Sequence, residues 1–384
     1  MNIECPSVTS VKIAADGLVV TFDGNPKPEF YSWLWLRDHS QDPSRHDAAT
    51  KQRKVDTFNL DPLVHGVEAA LNGQSVRISW SDESEPGEYS IHLLAEVAGL
   101  LGSSSLPQFW SSSPSTQDLL RIPFNEVVTT DHGLSIWLND VATLGYGLVR
   151  NMPTTHDGAE SLARRVGYPR QTIFGDLWKL SSEMTDHSDT AYSQTFLEPH
   201  TDGTYSHDAP GLQLFCCIER EGDGGESILV DGFAIAEKLK IQDPSAFEVL
   251  TRVIVRAHYI EPGIHLAAER PVIRLDHSGN VEQVSFNNYD RAPFRLPPLD
   301  EKEFYRAYAK FHELLNDRET WLIVRLNPGD ALLFDNWRIL HGRMAYIGHR
   351  VFIGCYHNCE DFESRRRVLQ LAASAIGATI AIPA

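Results

Sequence analysis

The chain has 384 residues, 42% of them hydrophobic and 22% charged, a globular mixture with enough material for a small domain beside a larger one. A formal net charge of −18 repels phosphate backbones and argues against nucleic acid as a partner. No apolar run approaches the length that spans a bilayer, so no membrane partner is expected. The five cysteines form no CxxC pair, and the first residues carry no basic flank with an apolar core, so a cytoplasmic protein in a reducing compartment is expected.

Residues 1–100 read as a small β-rich domain. VKIAADGLVVTFDG alternates apolar and polar residues around Asp16-Gly17, a hairpin signal. WLWLRDHS and VRISWSDESEPGEYSI read as further strands. Residues 101–117, with GSSSLPQFWSSSPSTQ, are rich in Ser and Pro, lack periodicity and are predicted to be a linker, with Trp110 packing on a neighbouring domain. Residues 118–384 form the larger domain. ATLGYGLVRNMP and ESILVDG read as strands, GAESLARRVG and FAIAEKLKI as helices. DPSAFEVLTRV is a helix opened by Asp243 as N-cap with Pro244 in the first turn. Residues 300–316 carry Phe304, Tyr308, Phe311 and Leu315 on one helical face, the pattern of a core helix. WLIVRLNPGDALLFDN and HRVFIGCYHN are strands bracketing His341. Many strands, few inserted helices and candidate ligands on distant strands predict a mainly β architecture, a double-sheet jelly roll.

The chemistry concentrates in residues 197–231, opening LEPHTDGTYSHDAPGLQLFCCIE. His200 and Asp202 are two apart, so on an extended backbone they project from one face. NWRILHGR supplies His341 as a third ligand. Two His and one carboxylate on one face of an octahedron are the ligand set of non-haem Fe(II) oxygenases, with open positions for a chelating cosubstrate and O2. A 2-oxoglutarate cosubstrate needs a cation for its remote carboxylate, ideally Arg. Arg343 and Arg350 both follow His341; Arg350 opens a strand that can return toward the metal, and Ser227 in GGES can add a hydroxyl.

LEPHTDGTYSHDAPGLQLFCCIE with GGESILVDGF, FNNYDRAPF, and DNWRILHGR with HRVFIGCY resemble the γ-butyrobetaine and trimethyllysine hydroxylases, a family of Fe(II)/2-oxoglutarate dioxygenases. The resemblance covers most of the chain, WLWLRDHS included. It implies a double-stranded β-helix catalytic domain, iron on His200, Asp202 and His341, 2-oxoglutarate on Arg350, and a homodimer. It also implies a trimethylammonium substrate enclosed by aromatic rings, where a cation gains cation–π energy. The matching positions are Phe174, Trp178, Tyr192 and Tyr205. Asn287, Asn288 and Arg291 in FNNYDR resemble contacts to the substrate's other end. Asp189 in SDTAY matches the residue that suits an α-ammonium and leans toward trimethyllysine, against γ-butyrobetaine and 2-(trimethylamino)ethylphosphonate. Relatives hold a structural zinc after the WLRD motif with several Cys; RDHSQDPSRHDAA has none, so no structural zinc is expected. Open alternatives are a dioxygenase of the same fold acting on another small anionic or zwitterionic substrate, a metal hydrolase or cupin-like protein, and a non-catalytic metal-binding protein.

Overall fold

The computed structural model describes residues 5–47, 49–54, 57–101, 107–110, 119–181 and 193–380, with side chains through 371. The chain divides into two compact units, Met1–Ser104 and Ser105–Ala384.

In the first unit β1 (Val8–Ala14) and β2 (Gly17–Phe22) form the hairpin expected at Asp16-Gly17, and β3 (Glu29–Ser32) extends it. The next segment departs from expectation: WLWLRD is a helix, α1 (Trp33–Asp38), not a strand. Ser32 caps it by accepting the Trp35 N–H, and Trp33 and Leu36 are buried one helical turn apart. The Tyr89 hydroxyl donates to the Leu36 carbonyl at its last turn. β4 (Gly66–Asn72), β5 (Ser75–Trp80) and β6 (Gly87–Ser90) make a second antiparallel sheet, followed by α2 (Ile91–Val97). Leu18, Val20 and Phe22 from the first sheet meet Val76, Ile78 and Tyr89 from the second in one core.

In the second unit β7 (Arg121–Pro123) leads through α3 (Phe124–Thr129) and α4 (Asp131–Leu144) to β8 (Tyr146–Arg150), α5 (His156–Val166) and β9 (Trp178–Ser181). β10 (Leu197–His200), the long β11 (Leu212–Gly224), β12 (Ser227–Asp231), α6 (Gly232–Gln242) and α7 (Pro244–Arg252) follow. As the sequence predicts, Asp243 caps α7 by accepting the Ala246 N–H at 3.0 Å. Hairpins β13 (Ile254–Glu261) with β14 (Ile264–Pro271) and β15 (Ile273–Leu275) with β16 (Val281–Val284) precede α8 (Pro298–Leu315). β17 (Leu322–Val324), β18 (Ala331–Asp335), β19 (Ile339–Arg343), β20 (Tyr346–His357) and α9 (Cys359–Ile380) complete the unit.

Among the described residues, β10-β19-β12-β17 form one sheet and β7-β8-β18-β11-β20-β9 another. Side chains alternate across each strand and sort into three cores. On β11, Leu212, Leu214 and Cys216 face the helices α3, α4 and α5, while Phe215 turns toward the other sheet. On β12 and β19, Ile228, Val230 and Leu340 pack on α6, α7 and α8, while Leu229 and Ile339 point inward. The inner core joins the two sheets through Leu148, Phe334, Leu229, Leu322, Ile339 and Phe352. The same period of two puts Ser227, His341 and Arg343 on the inner face of one sheet and Gln213, Arg350 and Tyr356 on that of the other.

The stretch predicted as a linker is not one throughout. Residues 107–110 belong to the second unit: Gln108 N–H donates to Thr143 O at 2.7 Å and Trp110 Nε1 to Leu144 O at 2.8 Å. The Trp110 indole meets Tyr146 edge-on, so its burial, not its Ser/Pro setting, decides its place.

Candidate metal centre and its cavity

β10 and β19 run antiparallel with His200 opposite His341, which brings the two imidazoles to 4.5 Å between ring centroids. Asp202 lies two residues beyond the strand end, not on extended backbone as the sequence suggested, and a bend returns it to the same point. Its Oδ1 is 3.4 Å from His200 Nε2 and its Oδ2 3.8 Å from His341 Nε2. One ligand atom from each residue lies within 4.8 Å of the others.

Each ligand is aimed by its surroundings. His200 Nδ1 donates to the Glu198 carbonyl at 2.8 Å, which leaves Nε2 as the nitrogen that faces Asp202. His341 Nδ1 has no hydrogen-bond partner among the described residues; its ring is held by packing, 4.9 Å from Phe334 and 6.0 Å from Phe215. Asp202 Oδ2 accepts from the Tyr356 hydroxyl at 2.8 Å. Burial alone would raise the Asp202 pKa, but the facing His341 and His200 and the Tyr356 hydrogen bond hold it well below the usual carboxylate range. Burial opposes charge on His200, yet the Asp202 contact outweighs it and raises its pKa. Burial pushes His341 down to about 4, so it is a neutral donor at physiological pH. An ionised carboxylate and imidazole nitrogens converging from one side fit a divalent first-row metal with positions left open. The other cluster of such residues among the described ones, His156, Asp157 and Glu160, is the first turn of α5; Glu160 there pairs with Arg164 at 2.7 Å.

The centre opens into a cavity of about 110 Å³. Arg350 and Ser227 line one part of it. The Arg350 guanidinium lies 4.9 Å from the Tyr346 ring centroid and 4.5 Å from that of Phe352, and donates to Gly225 O at 2.9 Å. A Cβ at Gly225 would stand 2.8 Å from Arg350 Nη1, so the guanidinium takes the space a side chain would need. Burial, with Arg343 and Arg220 nearby, lowers the Arg350 pKa to about 10, so it stays cationic at neutral pH. Among the described residues no carboxylate pairs with it, whereas Arg343 donates to the carbonyls of Ser193 and Thr195.

Phe174, Trp178 and Tyr205 line the same cavity. Trp178 opens β9 and lies over Gly354 of β20, where a Cβ would come within 2.2 Å of the indole. Its ring packs 5.7 Å from Phe215 and 5.6 Å from Tyr356. Phe174 and Tyr205 are both backed by Tyr259 of β13, at 5.9 and 5.2 Å.

The model of the family described as Taurine catabolism dioxygenase TauD, TfdA family matches residues 108–356, which include the His-Asp-His centre and the cavity. This chain is a member of that dioxygenase family. Mitochondrial trimethyllysine dioxygenase of Rattus norvegicus is 32% identical over 354 residues, 89% of this chain and 83% of the relative. Trimethyllysine dioxygenase of Meyerozyma guilliermondii is 31% identical over 390 residues, 94% and 96% of the two chains. γ-Butyrobetaine dioxygenase of Homo sapiens is 29% identical over 359 residues, 88% and 91%.

In this dioxygenase Asn287 reaches the cavity, its Nδ2 donating to Asp290 at 2.9 Å. Asn288 and Arg291 do not. Arg291 Nε donates to Asn288 Oδ1 at 3.2 Å, and its guanidinium lies over Tyr305 and Tyr308, at 5.6 and 5.4 Å. The aromatic faces of α8 draw this cation away from the cavity that its motif neighbour Asn287 lines. Asp189 and Tyr192 fall outside the described residues. Sequence reasoning missed Tyr356, Asn336 and Gln213. Gln213 carried a signal, a polar residue at an inward position of the apolar strand LQLFCC; it is 1% exposed and lines the cavity.

His357 ends β20 beside Tyr356 and is fully buried, its Nδ1 donating to Tyr168 O at 3.2 Å. Burial lowers its pKa to about 4. The unfolded chain therefore takes up a proton near pH 6.5 that the folded protein refuses. The stabilisation is complete above about pH 6.5 and is lost as pH falls toward 4, about 1.4 kcal/mol per unit and about 3 kcal/mol in all. Urea unfolding at pH 7 and pH 5 should show this slope in the wild type and a shallower one in His357→Gln; equal slopes would contradict it.

Proposed function

We propose that this dioxygenase hydroxylates a methylene of a small trimethylammonium compound, consuming 2-oxoglutarate and O2 and releasing succinate and CO2, within a double-stranded β-helix domain. Trimethyllysine is placed first among the substrates, ahead of γ-butyrobetaine and 2-(trimethylamino)ethylphosphonate. The supporting observation is that one cavity gathers His200, Asp202 and His341, the buried cation Arg350, and the rings of Phe174, Trp178 and Tyr205. Asp189 in the sequence and the trimethyllysine dioxygenases among the relatives favour that substrate.

Fe(II) on His200, Asp202 and His341 would supply the oxidation, in which one oxygen atom of O2 leaves in succinate and the other becomes the hydroxyl of the substrate. The protein's own work is binding and orientation. Arg350 offers a planar fork to the far carboxylate of 2-oxoglutarate, with the Ser227 hydroxyl beside it. A quaternary ammonium has no N–H to donate, so ring faces suit it better than acceptors do, and the indole of Trp178 is the strongest of them. Asn287, which lines the same cavity, would meet the opposite end. With both ends held, one methylene faces the metal.

Two substitutions separate these roles. Arg350→Met should raise the KM for 2-oxoglutarate by about 30-fold or more, as expected for one partner of a buried charge pair. Trp178→Leu should raise the KM for the trimethylammonium substrate by up to about 30-fold and leave that for 2-oxoglutarate near wild type. The deciding assay is 2-oxoglutarate consumption with each of the three compounds in turn. Consumption stimulated by none of them would reject the proposal.

A further inference from the structure

We infer that Asn336 is a positioning residue for the metal centre, setting the Asp202 carboxylate by gripping that residue's peptide unit. The inference rests on the reading of His200, Asp202 and His341 as metal ligands.

The β10–β19 ladder ends where His200 faces His341. One residue on, Thr201 is tied to another segment, its N–H donating to Phe286 O at 2.9 Å and its Oγ1 accepting the Phe286 N–H at 3.0 Å. Asp202 has no strand beside it, and its peptide groups would be left without ladder partners. Asn336 supplies both. Its Oδ1 accepts the Asp202 N–H at 2.8 Å, and its Nδ2 donates to the Asp202 carbonyl at 3.1 Å. The carboxamide thus stands in for the missing backbone neighbour. Asn and Gln carry an acceptor and a donor side by side on one carboxamide carbon, and Gln is longer by a methylene.

The grip extends beyond one peptide. Nδ2 also donates to Pro210 O at 2.9 Å, and the Asn336 N–H to Gly211 O at 2.8 Å. The segment 202–211 can fold back this tightly because Gly203 adopts φ +69°, where a Cβ would meet Pro210 Cδ at 2.4 Å. Asn336 is 1% exposed and stands five positions before His341, in the turn that launches β19. One short segment therefore carries one ligand and fixes the backbone of a second from far away in the chain. Its carboxamide touches no ligand side chain, so its effect on the metal passes through Asp202.

The test uses the full chain stripped of metal and titrated with Co(II), read by calorimetry and by the visible absorption of the bound ion. Asn336→Ala should weaken Co(II) binding about 10- to 100-fold, the range for outer partners of metal ligands, and should shift the absorption band. Trp337→Phe is the control, because Trp337 Nε1 ties the same segment through Ala209 O at 3.1 Å without touching Asp202. It should bind Co(II) like the wild type. Asn336→Ser serves if the alanine variant does not fold, with the same expectation. Wild-type affinity in the Asn336 variant, or equal weakening by Trp337→Phe, would overturn the inference. A wild-type chain that binds no Co(II), or His200→Ala binding it equally well, would instead overturn the ligand assignment on which the inference stands.

Discussion

Replacing Asp202 by asparagine is expected to cut turnover to that of the metal-free protein and to weaken divalent-metal binding by more than about 100-fold, beyond the range for outer-shell partners. The substitution keeps volume and shape and removes one charge. Asp202 is the carboxylate of the centre, and His341, with its pKa drawn down to about 4 by burial, contributes no charge at neutral pH. The contacts that hold Asp202 ionised, His341, His200 and the Tyr356 hydroxyl, would then surround a neutral amide. Tyr356 can still donate to the amide oxygen and Asn336 still grips the backbone, so the fold should survive. Metal content after dialysis and succinate release check this together. A variant that retains stoichiometric metal and wild-type turnover would show that the ligand set is wrong.

The second large effect is on stability. Arg338 and Asp231 form an ion pair at 2% and 1% exposure, with Nη2 2.8 Å from Oδ2 and Nε 3.2 Å from Oδ1. Arg338 also donates to Thr143 O at 3.0 Å and Gln108 O at 2.6 Å, and lies over the rings of Phe109 and Phe233. Asp231 caps α6 through the Phe233 and Ala234 N–H groups and accepts the Trp110 N–H at 3.2 Å. The pair thus joins β12, the turn before β19 and residues 107–110. Arg338→Met leaves a buried carboxylate without its cation and should cost about 3–5 kcal/mol. The double variant Arg338→Met with Asp231→Asn should recover part of that, because no lone charge remains. Urea denaturation of the four proteins measures the cycle. A loss below about 1 kcal/mol in the single variant would mean that the charge is solvated in a way this packing does not allow.

Local chemistry was readable wherever a side chain's task is set within a few residues. The Asp16-Gly17 hairpin, the Asp243 cap and the buried stripe of α8 are of that kind, since turn, cap and helical face are short-range. His200, Asp202 and His341 stood out as candidate ligands because the HxD pair is followed by a strand, GGES and a late His before Arg, and their ligand atoms lie within 4.8 Å of one another. WLWLRD misled because four consecutive apolar residues carry no period of their own; in the structure Ser32 caps a helix and Trp33 and Leu36, three apart, are the buried pair. The direction of Arg291 was not readable, because a motif tells which residues are neighbours and not which way they point, and α8 offers it aromatic faces. Tyr356 and Gln213 depend on strand register, and Asn336 on a turn that meets a segment distant in the chain. Tyr356 reaches Asp202 from β20 and faces Gln213 of β11 across the ladder, pairings that no local pattern encodes.

Coupled turnover tests the central claim most directly. The purified chain, supplied with Fe(II), 2-oxoglutarate, O2 and trimethyllysine, should release succinate and hydroxylated product in equal amounts. Omitting any one component should stop it, as should Asp202→Asn. Product formed without succinate, or succinate formed equally well by the Asp202→Asn protein, would contradict the account.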